Sequence, residues 1–331
     1  MVNELKIVSL FSGCGGLDLG FTNAGFKLVF ANDNDLDVKE TFEKNHGVEL
    51  DTRSVENIPS SEIPNIVGII GGPPCQSWSL AGAMRGLNDK RGRVFYEYLR
   101  ILADKKPLFF LAENVAGIVS KAHIAEFNKI LSKFEEIGYT LNWKLLNSID
   151  YGVPQERKRV IVVGYRKDLG LKFDFNNIKK VQKVSLKQAI GDLNNSTPAK
   201  EKNWANEKLD TPNHEHFIGN FSSMYMSRNR KKDWSDASFT IQAGARHAPL
   251  HPSAPEMISV APDVRVFKDK DAPIRRLSVR ECARIQTFPD DFIFQYNIVS
   301  KGYKMIGNAV PVKLAEVIAN QIVVDLKTKG Y

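Results

Sequence analysis

The sequence predicts an α/β fold built on a doubly wound, mostly parallel sheet and joined to a smaller, loop-rich domain. Three observations predict it. Short apolar runs rich in β-branched and aromatic residues alternate with helical patterns as far as Tyr165, the order of successive βαβ units. Residues 170–275 are instead rich in Lys, Asn, Pro and His, with many turn signals and few long apolar periods. Helical periodicity then returns from Leu277. The expected division is 1–168 with 278–331 as one domain and 169–277 as the other.

The elements follow in order. A strand at Leu5–Phe11 leads into a helix at Leu17–Ala24, and a strand at Lys27–Ala31 into a helix at Leu36–Lys44. The apolar run Ile66–Ile70 ends at a glycine and proline corner, and a helix at Phe95–Leu102 precedes a strand at Leu108–Glu113. Ile130, Leu131, Phe134 and Ile137 give the segment Ile124–Ile137 a helical stripe. Strands at Tyr139–Leu146 and Arg159–Tyr165 complete the sheet. Leu314, Val317, Ile318 and Ile322 form a last stripe after Pro311, a residue suited to a first helical turn. That helix is expected to pack back on the first domain.

Composition narrows the class. With 331 residues, 43% of them hydrophobic, the chain has enough apolar material for a large core. It lacks both an apolar run of about 18 residues and the basic start of a signal peptide, so a cytoplasmic protein is expected. The three cysteines, Cys14, Cys75 and Cys282, have no paired ligand spacing, which indicates neither a disulfide framework nor a zinc site. A net charge of +8 suits a polyanionic partner, although solvated lysines alone reach such values.

Several motifs carry chemistry. Ser9-Leu10-Phe11-Ser12-Gly13-Cys14-Gly15-Gly16-Leu17 opens a helix behind the first strand, where glycines let backbone amides approach a ligand; a tight turn without a ligand reads the same way. The next strand ends in Asn32-Asp33, placed as a carboxylate that accepts from ribose hydroxyls. Together they favour an adenosine-bearing cofactor. Gly71-Gly72-Pro73-Pro74-Cys75-Gln76-Ser77-Trp78-Ser79 puts a thiol at the carboxyl edge of the sheet with no apolar shell around it, which favours a nucleophile over a structural cysteine. Glu113, before Asn114-Val115, brings a carboxylate to the same edge, or caps the next helix. In Gln155-Glu156-Arg157-Lys158-Arg159, alternate residues would place Gln155, Arg157 and Arg159 on one strand face as donors; a solvated charge run is the other reading. Tyr303–Pro311 makes a Gly-Asn turn, either a loop or a ligand wall.

In their order, these segments closely resemble the DNA cytosine-5 methyltransferases, from FSGCGG, Asp33 and GGPPCQSWS through Glu113-Asn114-Val115 and QERKR to the Arg275–Glu281 stretch and Gly307-Asn308-Ala309-Val310-Pro311. They span almost the whole chain. The resemblance implies a Rossmann-like domain that binds S-adenosyl-L-methionine through Phe11, Ser12, Gly13, Gly15, Gly16, Leu17, Asp33 and Pro74, closed by Asn308 and Val310. It implies Cys75 as nucleophile, Glu113 and Arg159 on the cytosine ring, Arg157 in support, and no metal. Where the family has Gly-Asp-Ile this chain has Arg53-Ser54-Val55, which leaves the adenine amino contact unassigned, with Ser54 and Asp51 as the candidate substitutes.

The target base must leave the duplex to meet a thiolate. The loop Gln76–Arg93, with Gln76, Ser79 and Arg91, is expected to close on double-stranded DNA. The small domain would read sequence with Arg228, Arg230 and Arg246, or hold phosphates with them, while Thr240 and Gln242 match the family's short motif there. The run Met226–Pro255 is similar to that of HaeIII-type methyltransferases, which modify GGCC, although His247-Ala248-Pro249 departs from it. A monomeric prokaryotic modification enzyme with a cognate restriction endonuclease is expected. A transfer RNA cytosine-5 methyltransferase and a catalytically silent DNA-binding relative are the alternatives.

Overall fold

Strands β1 (Lys6–Leu10), β2 (Lys27–Asn32), β3 (Leu50–Asp51), β4 (Gly68–Gly71), β5 (Phe109–Val115), β6 (Tyr139–Asn147) and β7 (Lys158–Arg166) form one sheet in the order β3-β2-β1-β4-β5-β7-β6. The structure is a computed structural model that describes residues 4–74, 90–206, 208–269 and 271–331, with side chains from Arg93 onward in the helix Lys90–Lys105. The first five strands run parallel, and β7 is antiparallel to both β5 and β6. The doubly wound, mostly parallel expectation holds. Strand β3 escaped it because two residues carry no period. The winding reverses between β1 and β4, so the crevice of the sheet opens at their carboxyl ends.

Sheet packing follows from alternation. Phe109 and Phe110 are consecutive in β5 and point to opposite faces. Phe109 meets Phe21 of helix α1 (Gly16–Asn23) at 6.2 Å between centroids, whereas Phe110 stacks on Phe134 at 4.4 Å. Each ring lies over a glycine on the neighbouring strand. A side chain at Gly68 would come within 2.2 Å of the Phe109 ring, and one at Gly164 within 2.1 Å of Phe110; these are the residues paired across the ladders. Val8, Leu10, Ile69, Phe110, Val160 and Val162 continue the core on the Phe110 face. The last helix, Val312–Lys327, follows Pro311 rather than containing it. From Leu314 it belongs to the sheet unit, held there by Tyr165, whose hydroxyl donates to Asp325 at 2.8 Å.

By compactness the sheet unit comprises Met1–Asn147, Lys158–Lys180 and Leu314–Tyr331, and a second unit Ser148–Arg157 and Val181–Lys313. These bounds differ from the division at 168/169 and 277/278. Residues 278–313 join the second unit because Ser278 and Arg280 bind its 212–214 segment: Ser278 Oγ lies 2.8 Å from His214 Nδ1, and Arg280 Nε donates to Pro212 O at 3.0 Å. Among its described residues this unit has two short strand pairs, the helices Val279–Ile285 and Val299–Asn308, and an apolar cluster of Tyr225, Leu250, Ala254 and Met257. Among the described residues no helix is long and apolar enough to cross a membrane.

Candidate active site at the carboxyl edge of the sheet

In the sheet unit, the turn after β1 is held open by backbone geometry. Phe11, Gly13 and Gly15 all have positive φ, at 59°, 56° and 90°, a conformation that glycine adopts without penalty and phenylalanine at a cost of about 1–3 kcal/mol. Asp33, at the end of β2, anchors the turn: its carboxylate accepts from Gly13 N at 2.8 Å and from Asp35 N at 2.9 Å. The Ser12 hydroxyl points inward, donating to Ser9 Oγ at 2.9 Å, so Ser12 offers a ligand only its backbone. Gly16 and Leu17 begin α1, and among the described residues nothing lies within 4 Å of where a Gly13 side chain would stand. Open space above a glycine turn, a part-exposed Phe11 ring and an acidic residue at the next strand end fit an adenosine-bearing cofactor. Asp51, a candidate for the adenine amino group, instead receives Arg53, with Nη2 to Oδ2 at 2.7 Å, and Ser54 caps a short 3-10 turn through its backbone alone.

Two strands away, the same edge carries charge. Arg159 Nε lies 2.8 Å from Glu113 Oε1, and each side chain is 13% exposed. Desolvation makes such a charge-assisted pair strong and orients both groups. A side chain at Gly72 would stand 3.0 Å from Glu113 Oε2, a tight approach to that carboxylate. Asn114 Nδ2 donates to Pro73 O at 2.9 Å and fixes the peptide that leads toward Cys75. Pro74 is exposed. Cys75, Gln76 and Ser79 lie outside the described residues, and Arg91 is placed only by its backbone, in the helix Lys90–Lys105.

In the second unit the structure corrects the common face expected for Gln155, Arg157 and Arg159. Strand β7 begins only at Lys158. Gln155 and Arg157 precede it and are both 0% exposed. They clamp one residue from both sides: Gln155 Oε1 accepts from Ile241 N at 3.0 Å, and Arg157 Nη1 donates to Ile241 O at 2.9 Å. Arg157 Nη2 also donates to Gly307 O at 2.8 Å and Ala309 O at 2.9 Å. Arg157 is therefore a brace on backbone carbonyls. Thr240 Oγ1 donates to Glu156 O at 2.5 Å, and Gln242 is exposed. A side chain at Gly307 would strike the Gln242–Ala243 peptide at 2.3 Å, so this glycine permits the close approach. Asn308 is exposed at the end of a helix and Val310 is buried.

The three arginines expected to meet DNA differ. Arg228 and Arg246 are exposed. Arg230 is held back, with Nε donating to Tyr225 O at 3.2 Å and its guanidinium 5.0 Å from the Tyr225 ring.

A sequence profile described as C-5 cytosine-specific DNA methylase matches residues 5–324. The chain belongs to this family. It is 59% identical to the Type II methyltransferase M.MthTI of Methanothermobacter thermautotrophicus over 98% of each chain. It is 50% identical to the Type II methyltransferase M.FnuDI of Fusobacterium nucleatum, over 98% of this chain and 96% of that one. The fold matches that of the Entamoeba histolytica methyltransferase EhMeth with a TM-score of 0.74 at 17% identity, covering 98% and 99% of the two chains.

As a C-5 cytosine-specific DNA methylase, the protein is an S-adenosylmethionine-dependent enzyme that acts on DNA. Two residues of this methylase that bear on the sites were not singled out in the sequence. Gln286, 0% exposed, donates through Nε2 to Ile306 O at 2.8 Å and faces Gln155 Nε2 at 3.2 Å. His46 ends helix α2 (Lys39–His46) and reaches the glycine turn. A polar residue at a helix end reads from sequence as solvated, so neither position gave a signal.

Proposed function

We propose that this methylase is the modification enzyme of a Type II restriction-modification pair, acting as a monomer on a cytosine within GGCC in duplex DNA. Its place would be the prokaryotic cytoplasm, where its DNA lies, and its functional partner a cognate endonuclease. The observation that carries the reading is the Glu113–Arg159 pair beside the corner that leads into Cys75. The GGCC assignment rests on the similarity of Met226–Pro255 to HaeIII-type enzymes.

In this reading the Cys75 thiolate adds to carbon 6 of a flipped-out cytosine, which makes carbon 5 nucleophilic. Charge that develops on the ring is met by Glu113, which delivers a proton to ring nitrogen 3, and by Arg159, which donates to the exocyclic oxygen. Because the two form an ion pair, protonation of Glu113 competes with its bond to Arg159. Bound S-adenosylmethionine supplies the electrophilic methyl group. Phe11, the Gly13–Leu17 turn, Asp33 and Pro74 would hold it in the sheet unit. Arg157 braces the backbone at 241, 307 and 309 in the second unit. Once carbon 5 carries the methyl group, loss of its proton to a base or water expels the Cys75 thiolate, and return of the nitrogen 3 proton to Glu113 restores the neutral ring and the acid.

Transfer of labelled methyl groups to duplex DNA and to transfer RNA, followed by mapping, tests the substrate. Label in duplex at a cytosine of GGCC is expected. Label at another site overturns the sequence assignment, and label confined to transfer RNA overturns the DNA reading. Cys75→Ala should abolish turnover and retain cofactor binding; persisting turnover removes Cys75 as nucleophile.

A further inference from the structure

The underside of the glycine turn is occupied by one side chain. Were residue 15 to carry a Cβ, it would stand 1.9 Å from His46 Nε2, 2.7 Å from Cδ2 and 2.8 Å from Cε1. The imidazole thus fills the volume that a side chain at this position would need. The ring is fixed from its own helix, stacked on Phe42 one turn earlier with centroids 4.4 Å apart. Gly47 follows in left-handed conformation, φ 64°, and ends the helix there. Burial pushes the imidazole down to about 4, against opposing interactions with the backbone at Cys14 and Gly15, so the ring is neutral near pH 7.

We propose that His46 is a positioning residue for cofactor binding: its ring, wedged beneath Gly15, holds the Gly13–Leu17 turn at the height and left-handed conformation that cofactor contact requires. The inference rests on the assignment of that turn to S-adenosylmethionine. His46 does not touch the reacting atoms. Its effect falls on the geometry of amides one layer above, where a displacement of about 1 Å changes function far more than stability.

The test is isothermal titration of S-adenosylmethionine and S-adenosylhomocysteine into the full-length protein, paired with thermal unfolding and with KM and kcat for methyl transfer. His46→Ala should weaken binding of both ligands about tenfold, with the loss in KM for the cofactor rather than in kcat. His46→Gln, which refills part of the volume, should recover part of the affinity. Binding within twofold of the parent overturns the proposal, as does a fall in melting temperature and kcat with affinity unchanged. Should His46→Ala not fold, His46→Ser, which also leaves the volume empty, is judged by the same affinity criterion. Gly15→Ala separates the two levels: intact binding there removes the turn as the cofactor site, whereas lost binding there beside unchanged binding in His46→Ala removes only the wedge.

Discussion

The side-chain amide of Asn114 donates to the carbonyl of Pro73 at 2.9 Å. This bond ties the end of β5 to the corner after β4, so the carboxylate at 113 and the chain leading to residue 75 share one support. Asn114 is 3% exposed, and its own Oδ1 accepts from Val115 N at 2.9 Å. Replacing it by Ala leaves a buried carbonyl without this donor and frees the corner to move. Asn114→Ala should lower the single-turnover methylation rate about 10–100-fold with cofactor affinity intact. An unchanged rate would show that the corner is held by other contacts.

The Glu113–Arg159 pair yields a second prediction. Glu113→Gln keeps the shape and removes the acid, so methyl transfer should fall about 10²–10⁴-fold. Arg159→Ala should be comparably slow and also less stable, because it removes the ion pair from a carboxylate that is 13% exposed. Rapid-quench rates with saturating DNA and cofactor, beside denaturant midpoints, distinguish the two. Equal stability of both variants and the parent would contradict the importance of the pair in the resting protein.

Much of this arrangement was legible in the sequence, for a physical reason. The Phe11–Leu17 turn, Asp33, the Gly72–Pro74 corner and Glu113 all sit at strand ends, where local apolar period and glycine placement fix position within a few residues. The Gln155 and Arg157 side chains were misjudged because strand alternation was extended past the true start of β7. What decides their direction is the backbone of Ile241, more than 80 positions away. His46 and Gln286 were invisible for the same reason, since their roles come from long-range contact.

Arg157 gives a third prediction. Its guanidinium donates to three backbone carbonyls, at 241, 307 and 309, from a fully buried position. Lysine cannot reproduce that planar fork. Arg157→Lys should destabilise the second unit by about 2–4 kcal/mol, seen as a lowered urea midpoint. A loss of turnover with the midpoint unchanged would instead place Arg157 at the substrate.

The exposed arginines separate base reading from phosphate contact. Arg228→Ala and Arg246→Ala remove side chains in solvent and should leave the melting temperature unchanged. If they read guanines, each should relax discrimination at one position by about 1–3 kcal/mol. Uniform weakening with a shallower salt dependence would assign them to phosphates. Arg230→Ala should also lower stability, because that guanidinium packs on Tyr225 and bonds its carbonyl.

Asp18 makes stability depend on pH with a definite sign. The side chain is fully buried in the first turn of α1, and burial pushes its carboxyl up to about 7 from 3.8, with Asp33 adding to the rise and Ser9 opposing it. A folded-state value above the unfolded one means that the native protein holds the extra proton between these limits. The stabilisation is therefore complete below about pH 4, declines as pH rises toward 7 and is absent above it. The slope is at most about 1.4 kcal/mol per pH unit. Glu281 and Asp51, whose carboxyls are lowered by Arg275 and Arg53, act with the opposite sign at acidic pH, so the comparison must be made against a variant. Asp18→Asn removes the proton and keeps the size. The difference in unfolding free energy, Asp18→Asn minus parent, should increase by about 2–3 kcal/mol between pH 5 and pH 8. Urea unfolding at the two pH values measures it, and parallel pH profiles for the two proteins would show that Asp18 does not titrate in this range.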